Sequence, residues 1–179
     1  MVNTGNNLKI HFMTTTGELT VATDTPVLNS DTLLKHWQGH RSLTRKMIEA
    51  FPEDKLFTYS IGGMRPFAEL VYEFLGMEVP GLTGVATGKW QRWADGEKVS
   101  TKKELLKRWD DATDEINRLW ATIPPHRFEE QDTAFGLWSG TGRSFIFYYI
   151  DNEIHHRGQA YVYLRSLGIE PPAFWDRPM

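Results

Sequence analysis

The sequence predicts an all-α protein, a four-helix bundle in one domain. Three observations carry this. Apolar residues recur at spacings of three and four in four separate stretches, those stretches are bounded by capping residues or prolines, and a Gly- and Trp-rich connection separates the second from the third. A chain of 179 residues, 40% of them hydrophobic, is long enough to bury one such core.

The first helix is expected over 31–51. Asn29-Ser30-Asp31 precedes it with Ser30 or Asp31 as cap, Leu33, Trp37, Thr44, Met47, Ile48 and Phe51 make its inner stripe, and Pro52 stops it. His40 lies on that stripe with His36 one turn earlier. The pair has formal ligand spacing, but the pattern assigns His36 to solvent and His40 to the buried neighbourhood of a site.

The second helix is expected over 63–77, with Pro66 in its first turn. Phe67, Ala68, Leu70, Val71, Phe74 and Leu75 give it a wide apolar face, and Glu73 stands at the border of that face. A carboxylate there either reaches water or has a partner. Residues 79–100 read as a structured crossover, in which Trp90 and Trp93 either wall a pocket or plug the end of the bundle.

The third helix is expected over 101–123, capped by Ser100 and stopped by Pro124-Pro125. It buries Leu105, Trp109, Ala112, Ile116, Leu119, Trp120 and Ile123, while Asp110, Asp111, Asp114 and Glu115 form a solvated face. A short extended piece at 133–138 leads to Thr141 and Ser144, which open the last helix over 143–167. Ahead of all four helices, the Thr-rich residues 1–29 read as an N-terminal arm or hairpin, packed on a partner subunit or frayed.

Composition removes several function classes. A net charge of −3 and a pI near 6.1, without a long Lys/Arg run, argue against nucleic-acid binding. The absence of cysteine excludes disulfides, thiolate zinc sites and a cysteine nucleophile, so any metal must use N and O ligands. The polar start of the chain and the lack of a long apolar run lead to the expectation of a cytoplasmic protein without a membrane span. Neither a phosphate-binding Gly loop nor a Gly-x-Ser-x-Gly elbow occurs.

The densest chemistry lies in Asp151-Asn152-Glu153-Ile154-His155-His156-Arg157-Gly158-Gln159. On a helix, Phe145, Tyr149, Asn152, His156, Ala160 and Tyr163 share one stripe, so Asn152 and His156 point the same way one turn apart. Spacing alone leaves two readings open, a hydrogen-bonded polar pair or two ligands of one ion.

The string His155-His156-Arg157-Gly158-Gln159, followed by Tyr163-Leu164-Arg165, Leu167-Gly168 and Pro171-Pro172, resembles the last-helix signature of the DinB-like superfamily of bacterial four-helix-bundle metalloproteins. The resemblance implies an up-down-down-up helix order and a ligand set of three histidines, one on the second helix and two spaced by four on the last. Carried onto this chain, the three positions hold Glu73, Asn152 and His156. Such a set is harder than three imidazoles and implies weaker Zn²⁺ or Ni²⁺ binding, with Mn²⁺, Mg²⁺ or no metal as alternatives.

Two functions follow from the resemblance. One is a metal-dependent enzyme, such as a transferase acting on a low-molecular-weight thiol, with Tyr72, His40 or His155 orienting the substrate and Arg157 and Gln159 locking the helices. The other is a non-catalytic bundle with a degenerate metal site, acting as a binding or stress-associated protein. The resemblance, with 13% aromatic residues, also implies a homodimer.

Overall fold

The computed structural model describes residues 28–178, so all but the last two residues of the expected N-terminal arm lie outside it. Helix α1 spans Ser30–Ala50 and is capped by Asn29, whose side-chain oxygen accepts from the Thr32 N–H at 2.8 Å, one residue ahead of the caps expected from the sequence. Pro52 ends α1 as expected. Glu53 and Asp54 then supply acidic residues to the first turn of a short helix α2, Glu53–Thr58, which the apolar pattern was too brief to reveal.

The largest departure concerns the second long helix. Helix α3 begins at Phe67, with Pro66 just outside it, and continues through Pro80 to Thr87, so the expected crossover gives its first nine residues to the helix. Pro80 is tolerated because the surrounding packing outweighs one lost backbone hydrogen bond. Gly81 and Gly84 serve close approach, since a β-carbon at either would collide with the Tyr149 hydroxyl and the Trp90 ring respectively. Gly88, at φ 71°, closes the helix in the left-handed conformation.

Helix α4 spans Lys102–Trp120 and is capped by Thr101, where the sequence suggested Ser100. A 3-10 turn at Pro125–Phe128 leads into strands β1, Gln131–Ala134, and β2, Trp138–Thr141, paired antiparallel with Ala134 opposite Trp138. Helix α5, Gly142–Ser166, starts at Thr141, whose hydroxyl accepts from the Ser144 N–H at 3.1 Å. The fold is thus all-α with one small hairpin. No helix among the described residues is long and apolar enough to cross a membrane.

Helix α1 packs on α4 and α5, and α3 packs on the same two, which closes the four long helices into a ring with α1 and α3 diagonally opposed. Across that diagonal the fully buried Arg41 and Glu78 form an ion pair. Arg41 also donates to Thr113 Oγ1 at 2.8 Å and to the Trp109 carbonyl at 3.1 Å, and its guanidinium lies 3.9 Å from the centre of the Trp109 ring. On the α5 side, buried Arg157 donates to Thr44 Oγ1 at 2.9 Å, to the His40 carbonyl at 3.2 Å and to His40 Nδ1 at 2.8 Å, while Thr44 donates to Glu153. Burial pushes the carboxyls of Glu78 and Glu153 above the ordinary glutamate range, against the pull of Arg41.

This network alters the expected face of the last helix. Phe145, Tyr149, Ala160 and Tyr163 are buried as the stripe predicts, but Glu153 and Arg157 occupy its centre and Asn152 and His156 are only half-buried. A charged pair spaced by four can enter a core when its partners are fixed on a facing helix, and the partners here are Thr44 and His40 of α1.

Candidate functional site

Glu73 lies on the flank of α3 that faces α5, and Asn152 and His156 meet it from successive turns of α5. Asn152 Nδ2 donates to Glu73 Oε1 at 3.1 Å, and His156 Nε2 lies 3.3 Å from the same oxygen. The other carboxylate oxygen, Oε2, accepts from the Arg65 guanidinium at 2.5 Å. Gln159 Nε2 stands 3.1 Å from His156 Nδ1, so an amide hydrogen there makes Nδ1 the acceptor and leaves the ring proton on Nε2, directed at Glu73.

The electrostatics agree with this proton arrangement. Burial pushes the Glu73 carboxyl upward, but the hydrogen bonds from Arg65 and Asn152 and the neighbouring charges prevail and hold it below the ordinary range. His156 is depressed, chiefly by burial, despite the attraction of Glu73. At neutral pH the cluster is therefore an ionised carboxylate facing a neutral imidazole, an amide and a guanidinium.

Beside Glu73 opens a cavity of about 470 Å³ between α3, α5, the hairpin and the crossover. Trp93, Phe135, Trp138, Tyr148 and Tyr149 give it an aromatic wall, and among the described residues Glu73 is the only Asp, Glu, Lys, Arg or His in its lining. Trp93 therefore walls a pocket. Trp90 instead plugs the bundle, with its ring 5.5 Å from Phe135 and 5.4 Å from Phe145. Phe135 holds a left-handed backbone at φ 54°, unusual for a residue with a side chain, and the contacts of its buried ring fix it there.

The DinB family model matches residues 21–177, nearly the whole chain. The chain belongs to the DinB family. Its fold is similar to that of a DinB-like protein from Bacillus subtilis, with a TM-score of 0.67 and 20% identity over 81% of this chain and 99% of that one. A DinB-like protein from Bacillus cereus gives a TM-score of 0.66 and 16% identity over 80% of this chain and 95% of the other. No curated protein matches the sequence.

Within this DinB-family bundle, the three positions carried over from the resemblance share one set of hydrogen bonds, and the auxiliary candidates lie elsewhere or at its edge. Tyr72 is buried with its hydroxyl donating to the Val99 carbonyl at 2.6 Å, which ties the crossover to α3. His40 faces Arg157 on the α1 side. His155 is exposed, with its ring 4.8 Å from that of His156 and its Nε2 3.2 Å from the Gln159 amide. His36 is exposed beside His40 at 4.6 Å between ring centres.

Sequence reasoning missed Arg65, which carried no periodic signal because it precedes α3. Gln159, expected as a packing residue, instead orients the ring of His156.

The donor set does not fit a divalent ion as it stands. Both nitrogens nearest Glu73 Oε1 present hydrogens to it, and the single negative charge is already compensated by Arg65. Among the described residues, no three His, Cys, Asp or Glu side chains converge in a way that could hold a metal. What the arrangement offers chemically is an ionised, oriented hydrogen-bond acceptor at the edge of an aromatic cavity.

Proposed function

We propose that this DinB-family protein binds a small organic molecule in the cavity beside Glu73, with the Glu73 carboxylate, oriented by Asn152 and His156 behind it, as the recognition group instead of a metal centre. The observation that supports this reading is the pairing of one ionised carboxylate with an aromatic wall, a combination suited to an amine or another strong donor carried on an apolar frame. Benzylamine is the simplest probe. It should bind more tightly than benzyl alcohol or benzoate in calorimetric or NMR titrations, and Glu73→Gln should weaken it roughly tenfold. Equal binding of the three probes, or an unchanged affinity in the variant, would sink the reading.

A second reading, metal-dependent transfer of a low-molecular-weight thiol, rests on one specific observation. The separations of 3.1 and 3.3 Å from Glu73 Oε1 are close to the roughly 3.3 Å edges of a tetrahedron with metal–ligand bonds near 2.0 Å. It requires the Asn152 and Gln159 amides to be turned over, so that an oxygen and a bare ring nitrogen face the ion. Metal analysis of untagged protein separates the two. Stoichiometric Zn, Ni or Mn, abolished by His156→Ala, would make the cluster a metal centre as the second reading requires, whereas metal-free protein that gains Zn²⁺ binding only as the Glu73→His/Asn152→His double variant would remove that requirement and leave the first.

A further inference from the structure

Glu73 meets its cavity as a carboxylate with most of its acceptor capacity already taken. Its Oε1 receives the Asn152 amide and the His156 ring N–H, and its Oε2 receives the Arg65 guanidinium. A carboxylate offers about four lone-pair sites, so about one is left for a ligand. The side chain keeps 18% of its surface exposed and lines the cavity, so the charge is accessible even though few acceptor sites remain.

The hydroxyls of the lining add little to that count. Tyr149 Oη is buried against Gly81, where a β-carbon would collide with it. Ser144 precedes Asn152 by eight residues, about 12 Å along α5, and Ser139 stands at the same hairpin end, next to Gly140 which packs on Ser144. The phenol of Tyr148 remains, and it is a poor acceptor.

Rings supply what the acceptors do not. Phe135 and Trp138 of the hairpin stand nearly perpendicular with 6.2 Å between centres, and Tyr148 and Tyr149 of α5 stand likewise at 6.5 Å. The hairpin and the helix thus each bring rings of differing orientation to the same cavity. Trp93, Trp138 and Tyr148 are left exposed there.

A primary ammonium carries three N–H donors and a tightly held water shell, so entering this cavity would cost it hydrogen bonds that a single free acceptor site cannot replace. Methylation removes those donors one by one. It leaves the charge intact and spreads it over methyl groups, which pack on ring faces. We infer that the ligand of this cavity is a methylated ammonium with at most one N–H, tertiary or quaternary, on an apolar frame, an inference that rests on the reading of the cavity as an amine site.

Benzylamine, N,N-dimethylbenzylamine and benzyltrimethylammonium carry one charge on one frame and differ in methylation, while neopentylbenzene is the uncharged isostere of the last. In tryptophan fluorescence titrations at pH 7, both methylated cations should bind about tenfold more tightly than benzylamine, and neopentylbenzene about tenfold more weakly than benzyltrimethylammonium. Trp138→Leu should weaken benzyltrimethylammonium roughly fivefold with the melting temperature unchanged, because the residue is exposed, and Trp138→Phe should recover most of the loss. Benzylamine binding as tightly as the methylated cations, with Glu73→Gln weakening all three, would overturn this inference and leave the amine site standing. Absence of Glu73-dependent binding by any of the cations would overturn both. Equal binding of neopentylbenzene, or an affinity for benzyltrimethylammonium unmoved by Trp138→Leu, would also overturn the inference.

Discussion

The Arg157 guanidinium donates to His40 Nδ1 at 2.8 Å and joins the centre of α5 to α1, while its neighbour His156 reaches the opposite way to Glu73 at 3.3 Å. Two consecutive residues thus serve two purposes. Arg157 holds α5 in place, and His156 is positioned as a result. In the His-Arg-Gly-Gln string, structural and chemical roles alternate because adjacent helical positions point to different neighbours.

Removing Arg157 should therefore cost more than removing His156. Arg157→Ala breaks the buried pair with Glu153, 3.3 Å away, and the bonds to Thr44 and His40, and should destabilise the fold by about 3–5 kcal/mol in urea titrations. Arg157→Lys should recover less than half of this, because an ammonium cannot span both His40 and Thr44 in the manner of a guanidinium. A fully stable Arg157→Ala protein would contradict the proposed role.

His40 predicts acid sensitivity. The unfolded imidazole titrates near 6.5 and the folded one near 3, so between those values the unfolded chain takes up a proton that the fold refuses. Stability contributed by the neutral ring is complete above about pH 6.5 and is lost as pH falls toward 3, by up to about 1.4 kcal/mol per pH unit. A His40→Asn variant should lose less stability than the native chain between pH 7 and pH 5, measured by urea midpoints at each pH.

Gly84→Ala tests close packing against helix propensity. Alanine is favoured in an exposed helix by about 1 kcal/mol. Here its β-carbon would strike the Trp90 ring, so a net loss of about 1–3 kcal/mol is expected, with a change in tryptophan near-ultraviolet dichroism. A stabilised variant would show that Trp90 moves freely.

Asn152→Asp probes the compensated charge at the site. It sets a second carboxylate about 3.1 Å from Glu73 Oε1, and the repulsion should cost roughly 1–2 kcal/mol at pH 7. Millimolar Mn²⁺ should restore the variant's melting temperature and leave that of the native chain unchanged. Equal stabilisation of both proteins by Mn²⁺ would favour the metal-dependent reading.

The class of the fold was legible because apolar spacing, caps and prolines are local signals, and each long helix appeared close to its expected place. The exception, α3, shows where local signals fail. Pro80, Gly81 and Gly84 resemble loop residues until Tyr149 is brought against Gly81 and Trp90 against Gly84, and then small residues are what the helix requires at those two positions.

Helical spacing put Asn152 and His156 on one face of α5, and the family resemblance placed Glu73 opposite them, where the structure has all three in hydrogen-bond reach. Arg65 could not be read from the sequence, because its hold on Glu73 depends on how the chain enters α3. Nor could the diagonal Arg41–Glu78 pair, which exists only once helices distant in sequence enclose it. Periodicity determines which side chains share a face, and packing decides which of those faces meet and what charge each one finds there.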